Sequence, residues 1–253
     1  MRTSGLLVTG IYKELLVTWN QNLQPRFPFT MLRNSHMEPI TVFISQMGPN
    51  PWKVVLMLEE LQLPYKTEFV DFSEVKKEPY VIINPNGRLP AMQDPNTGIQ
   101  IWESGAIVEY IIDTYDKENQ LSYETSLEKW QLRQWLFFQV SGQGPYYGQA
   151  SWFIRRHHEK VQSAIDRYRD EIYRVTGVLD KYLQTREWLV GDKCTYADLS
   201  FIAWQRNAPR LCGERFYDKF PHACAWMKRM EARPTVQKVY AMQDKIMAEH
   251  GLN

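Results

Sequence analysis

The stretch ITVFISQMGPNPWKVVLMLEELQLPY, residues 40–65, decides the fold of this chain. Its alternating start, 40–44, predicts a strand, and a Gly-Pro-Asn-Pro turn follows at 48–51. An amphipathic helix is predicted over 52–63. The apolar residues of its inner side are Val54, Val55, Met57, Leu58 and Leu61.

The start of this helix predicts a ligand site. Asn50 is expected to cap the helix, and Pro51 to occupy its first position because proline has no N–H to leave unsatisfied. A helix that begins directly after a strand presents unpaired N–H groups and the positive end of its dipole at the edge of the sheet. We therefore expect a small anionic ligand there.

The composition is that of a globular protein without a nucleic-acid partner. The 253 residues are 44% hydrophobic and 23% charged, with a formal net charge of +1. This near-neutral balance gives no electrostatic case for nucleic-acid binding, and no apolar run reaches the length of a membrane span. The three cysteines Cys194, Cys212 and Cys224 indicate a reducing compartment rather than a disulfide framework, so we expect a cytoplasmic location. No cluster has metal-site spacing, and the pair His157-His158 is expected to be solvated.

Residues 1–38 fit the later pattern poorly and are predicted to be a disordered N-terminal extension. No cationic start, long apolar core and small-residue cleavage site line up as in a secretion signal. Two alternatives stay open. The segment has more basic than acidic residues, as in organelle-targeting segments, and the chain could also begin at Met31 or Met37.

From residue 39 onward the pattern predicts two domains. The first, over 39–116, has the order βαβββα of a thioredoxin-like domain, with its first two strands parallel because a helix joins them. Its elements after the first helix are a strand at 65–72, a short strand from Leu89, its hairpin partner at 99–102 and a helix from Glu103-Ser104.

The second domain, over 124–253, is predicted to be all-helical. One long helix carries Trp130 to Gln139 and is expected to break near 141–145. Thr195 and Asp198 form a pair that resembles a capping box. The further helices are predicted at about 159–183, 196–211, 221–231 and from Arg233-Pro234.

Several motifs in this order resemble those of the glutathione transferases, over nearly the whole chain from residue 39. They are the strand-turn-helix at 40–63, Leu89-Pro90, Trp102-Glu103-Ser104-Gly105-Ala106-Ile107, and Leu189-Val190-Gly191-Asp192 before Thr195-Tyr196-Ala197-Asp198. Asn50 in the turn, with Trp135-Leu136-Phe137-Phe138-Gln139 and Gly148-Gln149-Ala150, resembles the fungal nitrogen-regulator-like transferases and the bacterial nu class. The resemblance implies a thioredoxin-like domain followed by an all-helical domain, glutathione as co-substrate, and a homodimer.

The resemblance also implies how glutathione is activated. In that group an asparagine of the turn faces the glutathione sulfur, which assigns this role to Asn50. Many members carry a hydroxyl residue where this chain has Gly48, and Ser45 is a candidate substitute. A free thiol of this type has a pKa near ~8.5, and lowering it by two units requires roughly 2.7 kcal/mol of preferential thiolate binding. The amide donor, the helix N–H groups and the helix dipole are each expected to supply about 1 kcal/mol.

The other groups of the tripeptide have candidate partners by the same resemblance. Glu103 is expected to pair with the γ-glutamyl ammonium, while Ser104 and the N–H groups at that helix start hold its α-carboxylate. Pro90 is expected to follow a cis bond that turns the main-chain groups of Leu89 toward the cysteinyl part. The candidates for the glycyl carboxylate, each of which also fits a solvated surface charge, are Arg88 and Lys77.

The second substrate is expected on the helical domain. Four aromatic residues are candidates for an apolar wall there, although core packing or dimer contacts would account for them equally well. They are Tyr146, Tyr147, Trp152 and Phe153. Since no cysteine lies in the turn before the first helix, an enzyme cysteine is not expected to act as the nucleophile.

The expected function is that of a glutathione transferase. The thiolate would attack a small electrophile or reduce a disulfide or peroxide, in detoxification or in fungal secondary-metabolite biosynthesis. The alternative is a non-catalytic regulator of the same fold that binds a transcription factor in nitrogen metabolism. The nitrogen regulator itself carries a long Asn/Gln-rich segment, whereas residues 1–37 contain only scattered Asn and Gln, which favours the enzyme.

Overall fold

The computed structural model describes residues 37–251. The extension predicted over 1–38 lies outside these residues except for its last two. Met37 packs against the hydrophobic core. Both main-chain groups of Glu38 bind the side chain of Asn96, at 2.9 Å each. The folded unit therefore includes residues 37 and 38.

A four-stranded mixed sheet forms the centre of the N-terminal half. Its strands are β1 (Ile40–Ile44), β2 (Tyr65–Phe69), β3 (Ala91–Asp94) and β4 (Ile99–Trp102), in the spatial order β2-β1-β3-β4. β1 and β2 are parallel, as predicted, and the other two pairs are antiparallel. Alternate residues of β1 are fully buried, which explains the alternation in its sequence.

Within the part of the chain that the structure describes, three helices accompany this sheet: α1 (Pro49–Glu60), α2 (Tyr80–Ile83) and α3 (Ser104–Tyr115). The predicted thioredoxin-like fold class is confirmed, with one addition. The four-residue α2 was not predicted, because a single helical turn is too short to show a 3.6-residue period.

The start of α1 differs from the prediction. The helix begins at Pro49 rather than after Asn50, its N-cap is Gly48, and no side chain caps it. The prediction that Asn50 caps the helix was therefore wrong. Pro49 and Pro51 are separated by one residue. Pro49 is the first residue of the helix, because its fixed φ suits a helix start as well as that of Pro51 does. Asn50 lies within the first turn, where its side chain is available for other contacts.

Up to residue 251, the C-terminal half contains seven further α-helices. They are α4 (Ser126–Phe138), α5 (Gly144–Arg155), α6 (Gln162–Tyr182), α7 (Tyr196–Gln205), α8 (Ala208–Cys212), α9 (Pro221–Glu231) and α10 (Pro234–Glu249). The capping box before α7 is confirmed: the N–H of Thr195 donates to the Asp198 carboxylate at 3.0 Å. None of the helices within residues 37–251 is both long and apolar enough to cross a membrane.

The break expected near 141–145 is instead a π-helical turn, Gln139–Gln143, that joins α4 directly to α5. A π-turn inserts an extra residue per turn and so shifts the register of the side chains that follow, and such turns are frequent at functional sites. This turn packs beside the start of α3, since a Cβ on Gly105 would lie 3.0 Å from Val140.

α1 lies between the sheet and the helical half and joins the two. Every residue from Pro51 to Leu58 is buried, and the helix packs against β1, α3, α7 and α10. A single hydrophobic core includes its apolar side chains together with those of α7 and α9. At its C-terminal end Glu60 accepts two hydrogen bonds from Arg233, of 2.8 and 2.6 Å, and one from Thr235.

Candidate functional site

The side chain of Asn50 is fixed by a residue far along the chain. Its Oδ1 accepts a hydrogen bond of 2.8 Å from the indole Nε1 of Trp204, on α7. Because an indole N–H is only a donor, the atom facing it must be the amide oxygen. No hydrogen-bond partner for the Asn50 Nδ2 group is found within residues 37–251. The half-buried NH2 group is thus a free donor at the N-terminal end of α1, beside the unpaired N–H groups of that helix.

The turn before α1 is closed by Ser45. Its buried Oγ accepts a hydrogen bond of 3.2 Å from the N–H of Gly48, and a Cβ on Gly48 would lie only 2.8 Å from that oxygen. The indole of Trp52 also donates to the carbonyl of Gln46, at 3.1 Å. Within the described part of the chain the hydroxyl hydrogen of Ser45 has no acceptor. Ser45 therefore has a structural role in the turn and keeps a donor available.

The bond between Leu89 and Pro90 is cis, as expected. The loop is anchored through the carbonyl of Arg88, which accepts hydrogen bonds from Tyr80 (2.7 Å) and Asn84 (2.6 Å). The main-chain N–H and C=O of Leu89 have no hydrogen-bond partner among residues 37–251. They remain available to pair with an extended peptide.

Glu103 and Ser104 lie at the start of α3. Glu103 has a φ of +71° and a ψ of +115°, a conformation that is strained for a residue with a side chain. Its exposed carboxylate accepts a hydrogen bond of 3.4 Å from Asn86, the one hydrogen bond it has within residues 37–251. Ser104 is buried as the first helical residue. Strained residues of this kind cluster at functional sites, so Glu103 stays a candidate for a binding role.

The two cationic candidates lie on the surface. Lys77 is paired with Glu74 at 2.8 Å, between two side chains that are more than half exposed. The side chain of Arg88 is exposed and close to the loop that holds Leu89-Pro90. Of the two, only Arg88 is adjacent in sequence to a predicted site residue and free of an observed ion pair within residues 37–251.

The four aromatic candidates do not form one wall. Tyr147 is fully buried, and its hydroxyl bonds Thr176 and Gln205, both at 2.9 Å, which places it in the core. Tyr146 and Phe153 pack on Tyr168 of α6, with ring centroids 6.5 and 5.7 Å apart. Trp152 is 48% exposed. The structure therefore leaves Trp152 as the accessible member of the predicted set.

The three cysteines are unpaired and lie in the helical half, away from the turn before α1. Burial raises the pKa of the Cys194 thiol, and it raises that of Cys212 to about 11. Both thiols are therefore protonated at neutral pH and poor nucleophiles.

A buried lysine lies one turn along α1 from Asn50. Lys53 is 1% exposed, and its Nζ donates to Gln139 Oε1 of the π-turn at 2.6 Å. Desolvation lowers the pKa of its ammonium to about 7, while the nearby charge of Glu103 acts in the opposite direction. Near neutral pH this side chain is therefore divided between its charged and neutral forms.

A series of hydrogen-bonded glutamine side chains leads from Lys53 into the helical half. Gln139 donates to Gln143 at 3.1 Å, and Gln143 donates to Gln205 at 3.1 Å. Gln205 in turn donates to Thr176 at 3.0 Å. Each amide oxygen accepts from the preceding donor, so the orientation of every amide is fixed.

Sequence reasoning assigned no role to Lys53, Trp204, Gln143 or Gln205, and it named Gln139 only as part of a family motif. A lysine in the middle of the apolar run Trp52 to Leu58 was a usable signal, because a lysine is almost never fully buried without a partner. Its partner lies 86 residues away, and that of Asn50 lies 154 residues away. No local pattern connects residues so far apart.

Replacing Lys53 by methionine, which is similar in length and uncharged, tests this burial. Because the pKa of Lys53 is lower in the native state than the ordinary 10.5, the unfolded state binds more protons between those values. Burial of Lys53 therefore lowers the stability of the folded protein by its full amount below about pH 7, and by less and less as the pH rises toward 10.5. We expect the gain in the free energy of unfolding of Lys53→Met to be about 2 kcal/mol larger near pH 6 than near pH 9.

The measurement is denaturant unfolding at a series of pH values. Lys181→Met is the control, since it removes a solvent-exposed lysine of α6, and its stability profile should run parallel to that of the unaltered protein. A Lys53→Met profile that is also parallel would contradict the assignment of a weakly basic, buried amine.

Comparison with known proteins identifies the family. The models for the N-terminal and C-terminal domains of glutathione S-transferase match residues 38–113 and 145–234. A glutathione S-transferase-like protein of Aspergillus fumigatus is 51% identical over 80% of this chain and 95% of its own length. Glutathione S-transferase 2 of Schizosaccharomyces pombe is 44% identical over 85% of this chain and 100% of its own length.

A solved structure agrees with this result. The glutathione transferase URE2P6 of Phanerochaete chrysosporium, crystallised with oxidised glutathione, is 45% identical, covers 84% of this chain and 99% of its own, and superposes with a TM-score of 0.80. The motifs, the fold and these relatives lead to one conclusion: the chain belongs to the glutathione S-transferase family.

Proposed function

We propose that this protein binds glutathione, stabilises its thiolate with Asn50, and transfers it to a small electrophile or uses it to reduce a disulfide or peroxide. The observation that carries the proposal is the orientation of the Asn50 amide. Its oxygen is engaged by Trp204, and its NH2 group is free at the N-terminus of α1. A neutral donor, helix N–H groups and a helix dipole then all favour a negative charge at one place. The presence of glutathione in a structure 45% identical to this chain supports the choice of ligand.

The remaining groups of the tripeptide have partners in this proposal. The free main-chain groups of Leu89, beside the cis bond to Pro90, pair with the cysteinyl unit. The exposed Glu103 carboxylate binds the γ-glutamyl ammonium, and Ser104 with the first N–H groups of α3 binds the adjacent carboxylate. Arg88 is assigned to the glycyl carboxylate, with Lys77 as the weaker candidate because of its pairing with Glu74.

The second substrate has one supported contact. Trp152 is the accessible aromatic residue of the predicted wall, and it lies on α5. We propose a cytoplasmic enzyme whose electrophile belongs to detoxification or to fungal secondary metabolism. A non-catalytic regulator remains the alternative, and the same measurements separate it from an enzyme.

Two variants of Asn50 test thiolate stabilisation. Asn50→Ala removes the amide donor, so kcat/KM for an aryl chloride should fall about tenfold at neutral pH, and the pKa of the bound thiol should rise by about one unit. Asn50→Asp keeps an oxygen for the Trp204 N–H but places a negative charge beside the sulfur, so its loss should be larger. The measurements are pH–rate profiles and titration calorimetry with reduced and oxidised glutathione.

The outcomes separate the possible roles. An unchanged pH profile in both variants would exclude Asn50 from thiolate stabilisation. Glutathione binding without turnover on electrophiles, disulfides and peroxides would favour the regulator. Absence of binding would mean that the fold is retained without a functional glutathione site.

Ser45 is proposed to supply a second donor. Its Oγ lies 2.8 Å from where a Cβ on Gly48 would stand, so its hydroxyl occupies the space of a side chain at position 48. The free hydroxyl hydrogen is then available to the same thiolate as the Asn50 amide.

A side-chain exchange between the two positions tests this role. Ser45→Ala should lower kcat/KM severalfold, since one neutral donor contributes about 1 kcal/mol. Gly48→Ser alone should destabilise the protein because its Cβ would approach the Ser45 oxygen to 2.8 Å. The double variant Ser45→Ala with Gly48→Ser relieves that clash, restores a hydroxyl and should recover activity. Failure of the double variant to recover it would assign Ser45 to the turn alone.

We also propose that the protein forms a homodimer through α4. Three large apolar residues on one face of this helix are exposed, with exposed fractions of 67% for Leu127, 64% for Trp130 and 59% for Phe137. Their spacing of three and seven residues places them in one stripe. An exposed apolar stripe of this kind is typical of a protein interface.

A charge placed in this stripe should separate the subunits. Trp130→Glu with Phe137→Glu should reduce the mass measured by light scattering to that of the monomer, because each substitution would place an unpaired charge where the dimer would bury an aromatic ring. Val178→Glu, at an exposed apolar position on α6, is the control and should leave the mass unchanged. A wild-type protein that is already monomeric would exclude the dimer.

A further inference from the structure

The orientation of the Asn50 amide depends on one donor from the other half of the molecule. An asparagine side chain can turn about its last bond and exchange its oxygen and nitrogen with little change in shape. If it did so here, the NH2 group would face the Trp204 N–H, donor against donor, and the oxygen would face the ligand. The hydrogen bond of 2.8 Å from Trp204 is the contact within residues 37–251 that prevents this exchange.

Trp204 itself is held in a slot of the helical half. Two glycines of α5, one turn apart, face it: a Cβ on Gly144 would lie 3.6 Å from the indole nitrogen, and a Cβ on Gly148 would lie 3.5 Å from the far end of the ring. The buried ring of Tyr147 packs edge-on against the indole, with centroids 6.4 Å apart. Tyr147 is in turn bound to Thr176 and Gln205. The indole is thus packed and has its N–H directed at Asn50.

We propose that Trp204 is a positioning residue, which holds the Asn50 amide with its NH2 group toward the glutathione sulfur, so that the helical half sets the reactivity of a thiol bound by the thioredoxin-like half. This inference rests on the function proposed above. Trp204 does not need to contact the substrate for this role. Trp204 acts by raising the fraction of time in which the NH2 group of Asn50, rather than its oxygen, faces the glutathione sulfur.

Trp204→Phe tests the role, because it keeps an aromatic ring in the slot and removes the N–H. The pKa of the bound thiol, from the pH profile of kcat/KM, should rise, and kcat/KM at neutral pH should fall about fivefold. The dissociation constant of S-methylglutathione, which has no thiol to ionise, should change less than twofold. Trp188→Phe, a half-buried indole that packs with Arg229, is the matched control and should leave all three quantities unchanged.

The double variant with Asn50→Ala decides the matter. If Trp204 acts through Asn50, Trp204→Phe should cost almost nothing more once the amide is absent. Additive losses, or an unchanged pH profile in Trp204→Phe, would overturn the proposal. If Asn50→Ala instead has the pH profile of the unaltered protein, the proposed role of Asn50 itself is wrong. Melting temperature and circular dichroism establish that each variant is folded. If Trp204→Phe does not fold, Asn50→Asp, which keeps an acceptor for the indole N–H, supplies the comparison.

Discussion

Burial of α1 on all sides is the constraint on which this structure depends. In a two-layer arrangement a helix buries one stripe and leaves the other to solvent. Here the residues Pro51 to Leu58 are all buried, because the sheet covers one side and helices of the C-terminal half cover the other. Neither half completes its hydrophobic core alone, so the two are expected to unfold together.

The same burial determines where polar groups appear. A polar atom without a partner inside a protein costs about 1–3 kcal/mol, more for a charge. α1 carries four polar side chains toward its neighbours, and each is bonded by a residue of the helical half. The pairs are Asn50 with Trp204, Lys53 with Gln139, Glu59 with Lys238 and Glu60 with Arg233. The polar contact of Asn50 is thus the first of a series along α1, and it lies at the end of the helix where the N–H groups are free.

Much of the fold is predictable because its signals are local. The alternation of β1, the parallel pairing of β1 with β2, the cis bond at Pro90 and the capping box at Thr195 each depend on a few neighbouring residues or on a motif. The start of α1 was misplaced because both Pro49 and Pro51 suit the first turn of a helix, so the local pattern does not distinguish between the two starts.

The candidate site is predictable only in part, for a physical reason. Asn50, Glu103 and Leu89-Pro90 carry signals in sequence, because turns and helix starts restrict residue type. The residue that orients Asn50 carries no such signal, since Trp204 is brought in by packing of the second half. Tyr147 shows the opposite error: an aromatic residue in the expected region proved to be part of the core that supports Trp204 rather than a wall for substrate.

Lys53 adds to the candidate site a group that gains or loses a proton near neutral pH, which the neutral side chain of Asn50 does not provide. Its burial favours the neutral amine, and the carboxylate of Glu103 favours the ammonium. In the proposed complex the γ-glutamyl ammonium lies at Glu103 and its own carboxylate beside it, so these two ligand charges largely cancel at Lys53. The glycyl carboxylate is assigned to Arg88, so the thiolate is the remaining ligand charge, and it favours the protonated form of Lys53, which lies one helical turn along α1 from Asn50. By linkage, a protonated Lys53 lowers the pKa of the bound thiol in return, so the buried amine and the Asn50 donor favour the same ionised state of glutathione.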